Sequence, residues 1–262
     1  MDDKLDVITR QIDASQTLKR GLMQTLFGRG VGSQDADGRW VPHPEFKDSA
    51  LGEIPAQWNC LPLKALLSGK PEYGANASAI NFDENNNIRY LRITDIDERG
   101  QLRDDSVKSI SNEEAAGYIL SDGDLLVARS GNTVGKSILY RPAMGQCAFA
   151  GYLLRFRFVE EVDVNYVAHY LTSDAYWNWV KSSVKVGAQP NINAQQYQSL
   201  LLPVPKKEEQ ERIVAILSEV DTKISALTLR KKYYQKLKRG LMQKLLTGDW
   251  RVKLQSVEPV AP

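Results

Sequence analysis

The heptapeptide LKRGLMQ occurs twice, at residues 18–24 and again at residues 237–243, 219 positions apart. Seven identical residues in a row are improbable by chance, and the likeness extends outward. Around the second copy, Ile213, Leu217, Val220, Ile224, Leu227, Tyr234, Leu241 and Leu245 fall on alternating steps of four and three, with Lys231 and Lys238 in the remaining places. That spacing is a heptad seam. A shift of 219 lays Leu5, Ile8, Ile12, Ser15, Lys19, Leu22 and Leu26 on Ile224, Leu227, Lys231, Tyr234, Lys238, Leu241 and Leu245. The pattern predicts two helices with equivalent apolar faces. The second is longer, beginning near Glu208 after Pro203 and Pro205. Continued to Leu246 at ~1.5 Å per residue, it is about 60 Å long. A stripe this narrow suits helix pairing better than broad docking on a core. The partner is either the N-terminal copy or another subunit.

Between the helices the character changes. Residues 1–27 form the first helix. Residues 28–50, rich in Gly, Asp and Pro, read as a linker. Residues 51–205 hold short β-like runs at 88–93, 123–128, 137–140 and 148–158, interrupted by helical candidates at 112–117 and 163–181. This predicts one α+β domain of ordinary size. Residues 206–247 form the long helix, and 248–262 a tail.

Composition excludes several function classes. The chain has 262 residues, a net charge of +2, 42% hydrophobic and 25% charged residues, as in soluble globular proteins. So even a balance leaves charge distribution, not the sum, to indicate a nucleic-acid partner. Cys60 and Cys147 make no metal or redox spacing, which suits a reducing, cytoplasmic setting. His43 and His169 are the only histidines, so a His-rich metal site is not expected. No apolar run approaches the ~20 residues of a membrane span. The acidic, amphipathic N-terminus is unlike a secretory signal.

One stretch raises a rival reading. VARSGNTVGKSILY, residues 127–140, ends its loop in Gly135-Lys136-Ser137, close to the phosphate-binding pattern G-x-x-x-x-G-K-[ST]. The first glycine of that pattern should stand at position 130, where the chain has Ser130. The phosphate loop must also open a helix, whereas Ile138, Leu139 and Tyr140 before Pro142 suit a strand. Strand–loop–strand is the expectation, and a nucleotide-using enzyme is the alternative.

In this layout the chain resembles the specificity (S) subunit of type I restriction–modification enzymes. The resemblance is carried by LGEIPAQWNCLPLKALL (51–67), YLRITDID (90–97), SDGDLLVARSGNTVGKS (121–137) and VGAQPNINAQQYQSLLLPVPKKEEQERIVAIL (186–217). A full S subunit has two recognition domains and two long helices. This chain resembles its second half, with one target recognition domain. The resemblance implies a non-catalytic subunit that reads double-stranded DNA. It implies partners: a methyltransferase subunit carrying S-adenosylmethionine, and a restriction subunit using ATP and Mg. No cofactor or metal is expected on this chain. With a single domain, it would pair as a homodimer, or with another half-subunit, to read two half-sites.

The residues offer candidate contacts. Arg129, Ser130, Asn132, Thr133 and Lys136 crowd one loop with two glycines. Arg and Asn suit guanine and adenine edges, and Ser, Thr and Lys suit phosphates. Lys181, Lys185, Gln189, Asn191 and Asn193 form a second group, although a Gln-Pro-Asn-Ile corner can equally turn the chain through side-chain-to-backbone bonds. Arg92 and Arg103 are further candidates. The basic run 230–239 places Lys231 and Lys238 on the seam, which favours a helix or subunit contact. The chain has no Asn/Asp-Pro-Pro-aromatic motif for base amino-methylation, and His169 reads as a packed residue. A coiled-coil adaptor that does not touch DNA is the third reading.

Overall fold

The computed structural model describes residues 1–82, 88–97, 100, 102, 103, 105–184, 189–248 and 250. The chain divides into two compact units: residues 1–19 with the chain from Ser218 onward, and residues 20–217.

The first unit is built from the start of α1 (Asp2–Arg29) and most of α6 (Lys207–Leu246). Lys19 Nζ donates to both carboxylate oxygens of Asp221 at 2.6 and 2.8 Å, and Lys238 pairs with Asp2. Early residues of α1 therefore face late residues of α6, and the two helices run antiparallel. Ile8, Ile12, Ser15 and Ile224 are buried. Leu5, Val220, Leu227, Lys231, Tyr234, Lys238 and Leu241 are half-buried, and Leu245 is exposed. The heptad places are thus the covered ones as far as Leu241. Ser15, a polar residue in the seam, satisfies its hydroxyl on the Gln11 carbonyl at 2.8 Å.

The second unit is a mixed α/β domain. After α1 come short strands: β1 (Ser33–Gln34), β2 (Trp40–Val41), β3 (Phe46–Ser49), β4 (Gly52–Pro55), β5 (Asn59–Pro62), β6 (Glu72–Tyr73), β7 (Ile80–Asn81), β8 (Arg89–Leu91) and β9 (Lys108–Ser109). Then follow α2 (Asn112–Ala115), β10 (Leu125–Ala128), β11 (Ser137–Leu139), β12 (Cys147–Phe149), β13 (Leu153–Phe156), α3 (Val164–Tyr170), α4 (Asp174–Ser183), α5 (Ala194–Gln198) and β14 (Leu201–Val204). One sheet has the order β11-β10-β13-β6 and is antiparallel throughout. Another, β12-β8-β9-β7, includes the parallel pair β12–β8. β1–β2, β3–β4 and β5–β14 form separate ladders.

The main core gathers Trp58, Phe156, Tyr166, Tyr176 and Tyr197. Met23, Leu26 and Phe27 of α1 enter it, as do Ile213 and Leu217 of α6. Phe27 meets Tyr166 and Tyr170 edge to face at 5.3 and 5.2 Å, a geometry that adds to the simple burial of area. Leu91, Leu126, Phe149 and Leu153 belong to a second cluster.

Three stretches differ from the sequence pattern. Residues 28–50, with the composition of a linker, carry β1, β2 and β3 and bury His43. The helical candidate 163–181 is two helices, because Ser173 caps a new one by accepting from the Tyr176 amide at 3.2 Å. The apolar run 148–158 is two strands that belong to different sheets. They are joined by a turn in which the Leu153 amide donates to the Ala150 carbonyl. Burial pushes the Cys147 thiol up to about 11, so it stays protonated, and both cysteines are free. Among the described residues, no helix is long and apolar enough to cross a membrane.

Candidate nucleic-acid interface

The loop of residues 129–136 owes its shape to the buried run Leu125–Ala128 that precedes it. β10 pairs with β11 in antiparallel register, Leu125 opposite Leu139 and Val127 opposite Ser137. The turn between them uses Gly131 at φ 72° and Gly135 at φ 89°, conformations that side chains rarely tolerate. Gly135 is also closely covered: a Cβ there would lie 3.0 Å from the Val180 methyls. Below the loop, Tyr176 donates to the Gly135 carbonyl at 2.7 Å and Tyr197 to the Ala128 carbonyl at 3.1 Å. Burial raises both phenols above their ordinary range, so each stays a neutral donor.

This geometry removes the nucleotide-loop alternative. A strand, not a helix, follows Lys136. The loop amides are committed internally: Gly135 to the Ala128 carbonyl, Lys136 to Thr133 and Val134 to Gly131. A phosphate cradle needs those amides free.

The second candidate stretch joins the first. Ser130 and Asn191 form an antiparallel bridge. The Gly131 amide donates to the Pro190 carbonyl at 2.9 Å, and the Ile192 amide to the Arg129 carbonyl at 2.8 Å. Ile192 is buried beneath and fastens the pair. Asn132, Gln189 and Asn191 are exposed, Arg129, Thr133 and Lys136 are partly so, and Ser130 is buried. Lys181 is exposed in the last turn of α4. Lys185 lies outside the described residues. Asn193 accepts from the Gln196 amide while Gln196 accepts from the Asn193 amide, a capping box that starts α5. Arg92 is clamped on Asp95 at 2.7 and 3.1 Å and on the Ser106 carbonyl. Arg103 is exposed, and His169 is half-buried on α3. In the basic run, Lys231 and Lys238 are half-buried, while Lys232, Lys236 and Arg239 are exposed.

Two residues that the sequence did not single out complete the surface. The Arg129 guanidinium lies 5.2 Å from the Tyr73 ring centre and 5.8 Å from that of Tyr152. Tyr73 comes from β6, whose Glu72 pairs with Arg155 and Arg157 of the β13 segment. Tyr152 comes from the turn before β13. Neither carries a local signal, because the β6–β13 ladder joins residues some 80 positions apart. Among the described residues, no group of three or more His, Cys, Asp and Glu is placed to hold a metal ion.

The arrangement is a rim of hydrogen-bonding and cationic groups, exposed at Asn132, Gln189 and Asn191 and partly so at Arg129, Thr133 and Lys136. The profile of the family described as "Type I restriction modification DNA specificity domain" matches residues 70–238. The chain belongs to that family. Among curated relatives of this specificity-domain chain is the type I restriction enzyme MjaVIII specificity subunit of Methanocaldococcus jannaschii. The two are 26% identical over 263 residues, covering 96% of this chain and 58% of the relative. The EcoprrI specificity subunit of Escherichia coli is 21% identical over 187 residues, covering 70% and 46%. Among solved structures, the HsdS subunit from Thermoanaerobacter tengcongensis superposes with TM-score 0.55 at 17% identity, covering 95% of this chain and 55% of that one. The S subunit from M. genitalium gives TM-score 0.59 at 13% identity, covering 93% and 57%. At these identities the structural likeness is one of fold. The specificity-domain chain spans about half the length of the curated relatives it matches.

Proposed function

We propose that the chain is a non-catalytic DNA-reading subunit of a type I restriction–modification system. On this reading the domain of residues 51–205 binds one half-site of double-stranded DNA through the joined 129–136 and 189–191 rim. Support comes chiefly from the merging of two separately recognised polar stretches into one exposed surface on a specificity-family fold. Methyltransferase and restriction subunits are recruited in the cytoplasm, and they carry S-adenosylmethionine, ATP and Mg. The test is selection from random-sequence duplex DNA with the full chain, with and without a methyltransferase subunit. The expected result is one enriched motif whose affinity falls steeply with salt. Enrichment of no sequence would leave the adaptor reading.

The reading includes pairing of two copies, which the internal repeat supports. Met242, Leu245 and Leu246 are the repeat counterparts of Met23, Leu26 and Phe27. The latter are each 6% exposed in the core, whereas the former are 50%, 44% and 82% exposed. Arg20 lies 3.9 Å from Asp174, and its counterpart is Arg239. The end of α6 therefore repeats a face that fits a recognition domain. In a pair, the end of one copy's α6 displaces α1 from the other copy's domain and takes its place there. Sedimentation velocity over a concentration series should show a dimer, and Leu246→Asp should shift it to monomer. A wild-type chain that stays monomeric throughout, with and without the methyltransferase subunit, rules the pairing out.

A further inference from the structure

Resting on the DNA-reading proposal, we infer that Arg129 is the specificity-determining residue for one guanine of the half-site, with Tyr73 and Tyr152 as its positioning residues. Arg129 retains little freedom. Its backbone is held on both sides, the amide donating to the Tyr152 carbonyl at 3.0 Å and the carbonyl accepting from Ile192. Its Nε donates to the Gly151 carbonyl at 3.1 Å. Two tyrosine rings, 47% and 58% exposed, flank the guanidinium. Exposed aromatic rings that carry a cation restrict it without neutralising it.

Charge sets Arg129 apart from its neighbours. Arg92, Arg141, Arg155 and Arg157 each pair with a carboxylate. Arg129 pairs with none among the described residues, and its Nη1 and Nη2 have no partner there. These two nitrogens form a fixed fork of donors, and a fork needs two adjacent acceptors. In the major groove guanine offers N7 and O6, both acceptors. Adenine offers one acceptor and one donor, thymine one acceptor beside a methyl, and cytosine a donor. Only guanine uses both nitrogens. The neighbouring Asn191 and Asn132 leave room on the same rim for adjacent bases.

The experiment takes the duplex enriched by the wild-type chain and varies each base pair in turn. Binding is followed by fluorescence anisotropy for the wild type, Arg129→Ala, Arg129→Lys and Tyr152→Ala, with thermal unfolding of each as a folding control. Arg129→Ala should weaken binding roughly 5- to 150-fold and abolish discrimination at one G·C position while sparing the others. Arg129→Lys, which keeps the charge and loses the fork, should also lose that discrimination. Tyr152→Ala should weaken it in part. 7-Deazaguanine at that position should reproduce the loss in the wild type and add nothing to Arg129→Ala. The inference is overturned if Arg129→Ala keeps every base preference. It is equally overturned if Arg129→Ala weakens all duplexes alike and lowers the salt slope by about one, the mark of a phosphate contact. A wild type that enriches no sequence overturns the DNA reading itself.

Discussion

Glu209→Ala is expected to cost about 3–5 kcal/mol of folding stability, the range for breaking a buried charged contact. Glu209 sits in the first turn of α6 and is buried. One oxygen accepts from the Val31 amide at 2.9 Å, the Gly32 amide at 3.0 Å and His43 Nε2 at 2.9 Å. The other accepts from the Trp58 indole at 2.8 Å and from His43 Nε2 at 3.1 Å. One carboxylate thus joins the exit of α1, the turn carrying His43, the segment before β5 and the start of α6. Its charge also suits a helix N-terminus. Removal leaves donors buried without an acceptor, each costing about 1–3 kcal/mol. Gly30, at φ 71°, packs so closely on the carboxylate that a Cβ there would lie 2.3 Å from Glu209 Oε1. At roughly 2–4 °C per kcal/mol for a domain of this size, the melting temperature should fall by about 10 °C. Glu209→Gln keeps one acceptor and should lose less. Glu211→Ala, on an exposed position of the same helix, should change stability by less than about 0.5 kcal/mol. Equal urea midpoints for Glu209→Ala and the wild type would show that the four donors find other partners.

That carboxylate also marks where sequence reading ends. The heptad seam was legible because its cause is local: side chains at steps of three and four share a helix face whatever the rest of the chain does. The β10–β11 hairpin was legible for a similar reason, an apolar run followed by glycines and then Ile138, Leu139 and Tyr140 ahead of Pro142. Residues 28–50 misled through their composition. Gly, Asp and Pro do mark turns, but here the turns join strands that pair, and Gly52 at φ 91° closes the β3–β4 hairpin. Composition reports turn residues and not what they connect. Helix 163–181 kept an apolar rhythm across Ser173, and the capping serine inside it outweighed that rhythm. At the site, the polar loops were visible as chemistry, yet their union through Ser130 and Asn191 was not. Tyr73 and Tyr152 became neighbours of Arg129 only through strand pairing over long sequence separations, for which no single-chain pattern exists. Arg92, a strand arginine by its sequence context, is held by Asp95 three residues on.

Asp124→Ala should be as costly as the loss of Glu209, for a different reason. Asp124 and Arg155 are both buried, 2% and 4% exposed. Asp124 accepts from the Ser121 amide at 3.0 Å, from Arg155 at 3.4 Å and from Arg157 Nε at 2.7 Å. Hydrogen bonding to Asp124 pushes the Arg157 guanidinium further up, so its charge is secure. Arg155 also donates to the Ile119 carbonyl at 3.0 Å, pairs with Glu72 and lies 4.9 Å from the Phe149 ring centre. Without Asp124, half-exposed Glu72 is the one counterion left to its buried charge among the described residues. Leaving one member of a buried pair alone costs about 3–5 kcal/mol, whereas replacing both by apolar groups is often neutral. The double variant Asp124→Leu with Arg155→Met should therefore recover most of the loss, and a double-mutant cycle in urea should return a coupling of about 2 kcal/mol or more. The network reaches the rim around Arg129 through Glu72, whose strand neighbour is Tyr73. Asp124→Ala should then loosen Tyr73 against Arg129 and broaden the base preference assigned to Arg129, even at temperatures where the variant stays folded. A coupling near zero would mean that Asp124 and Arg155 act independently. A folded Asp124→Ala with unchanged base preference would detach the network from the rim, leaving it the single task of holding β6 on β13.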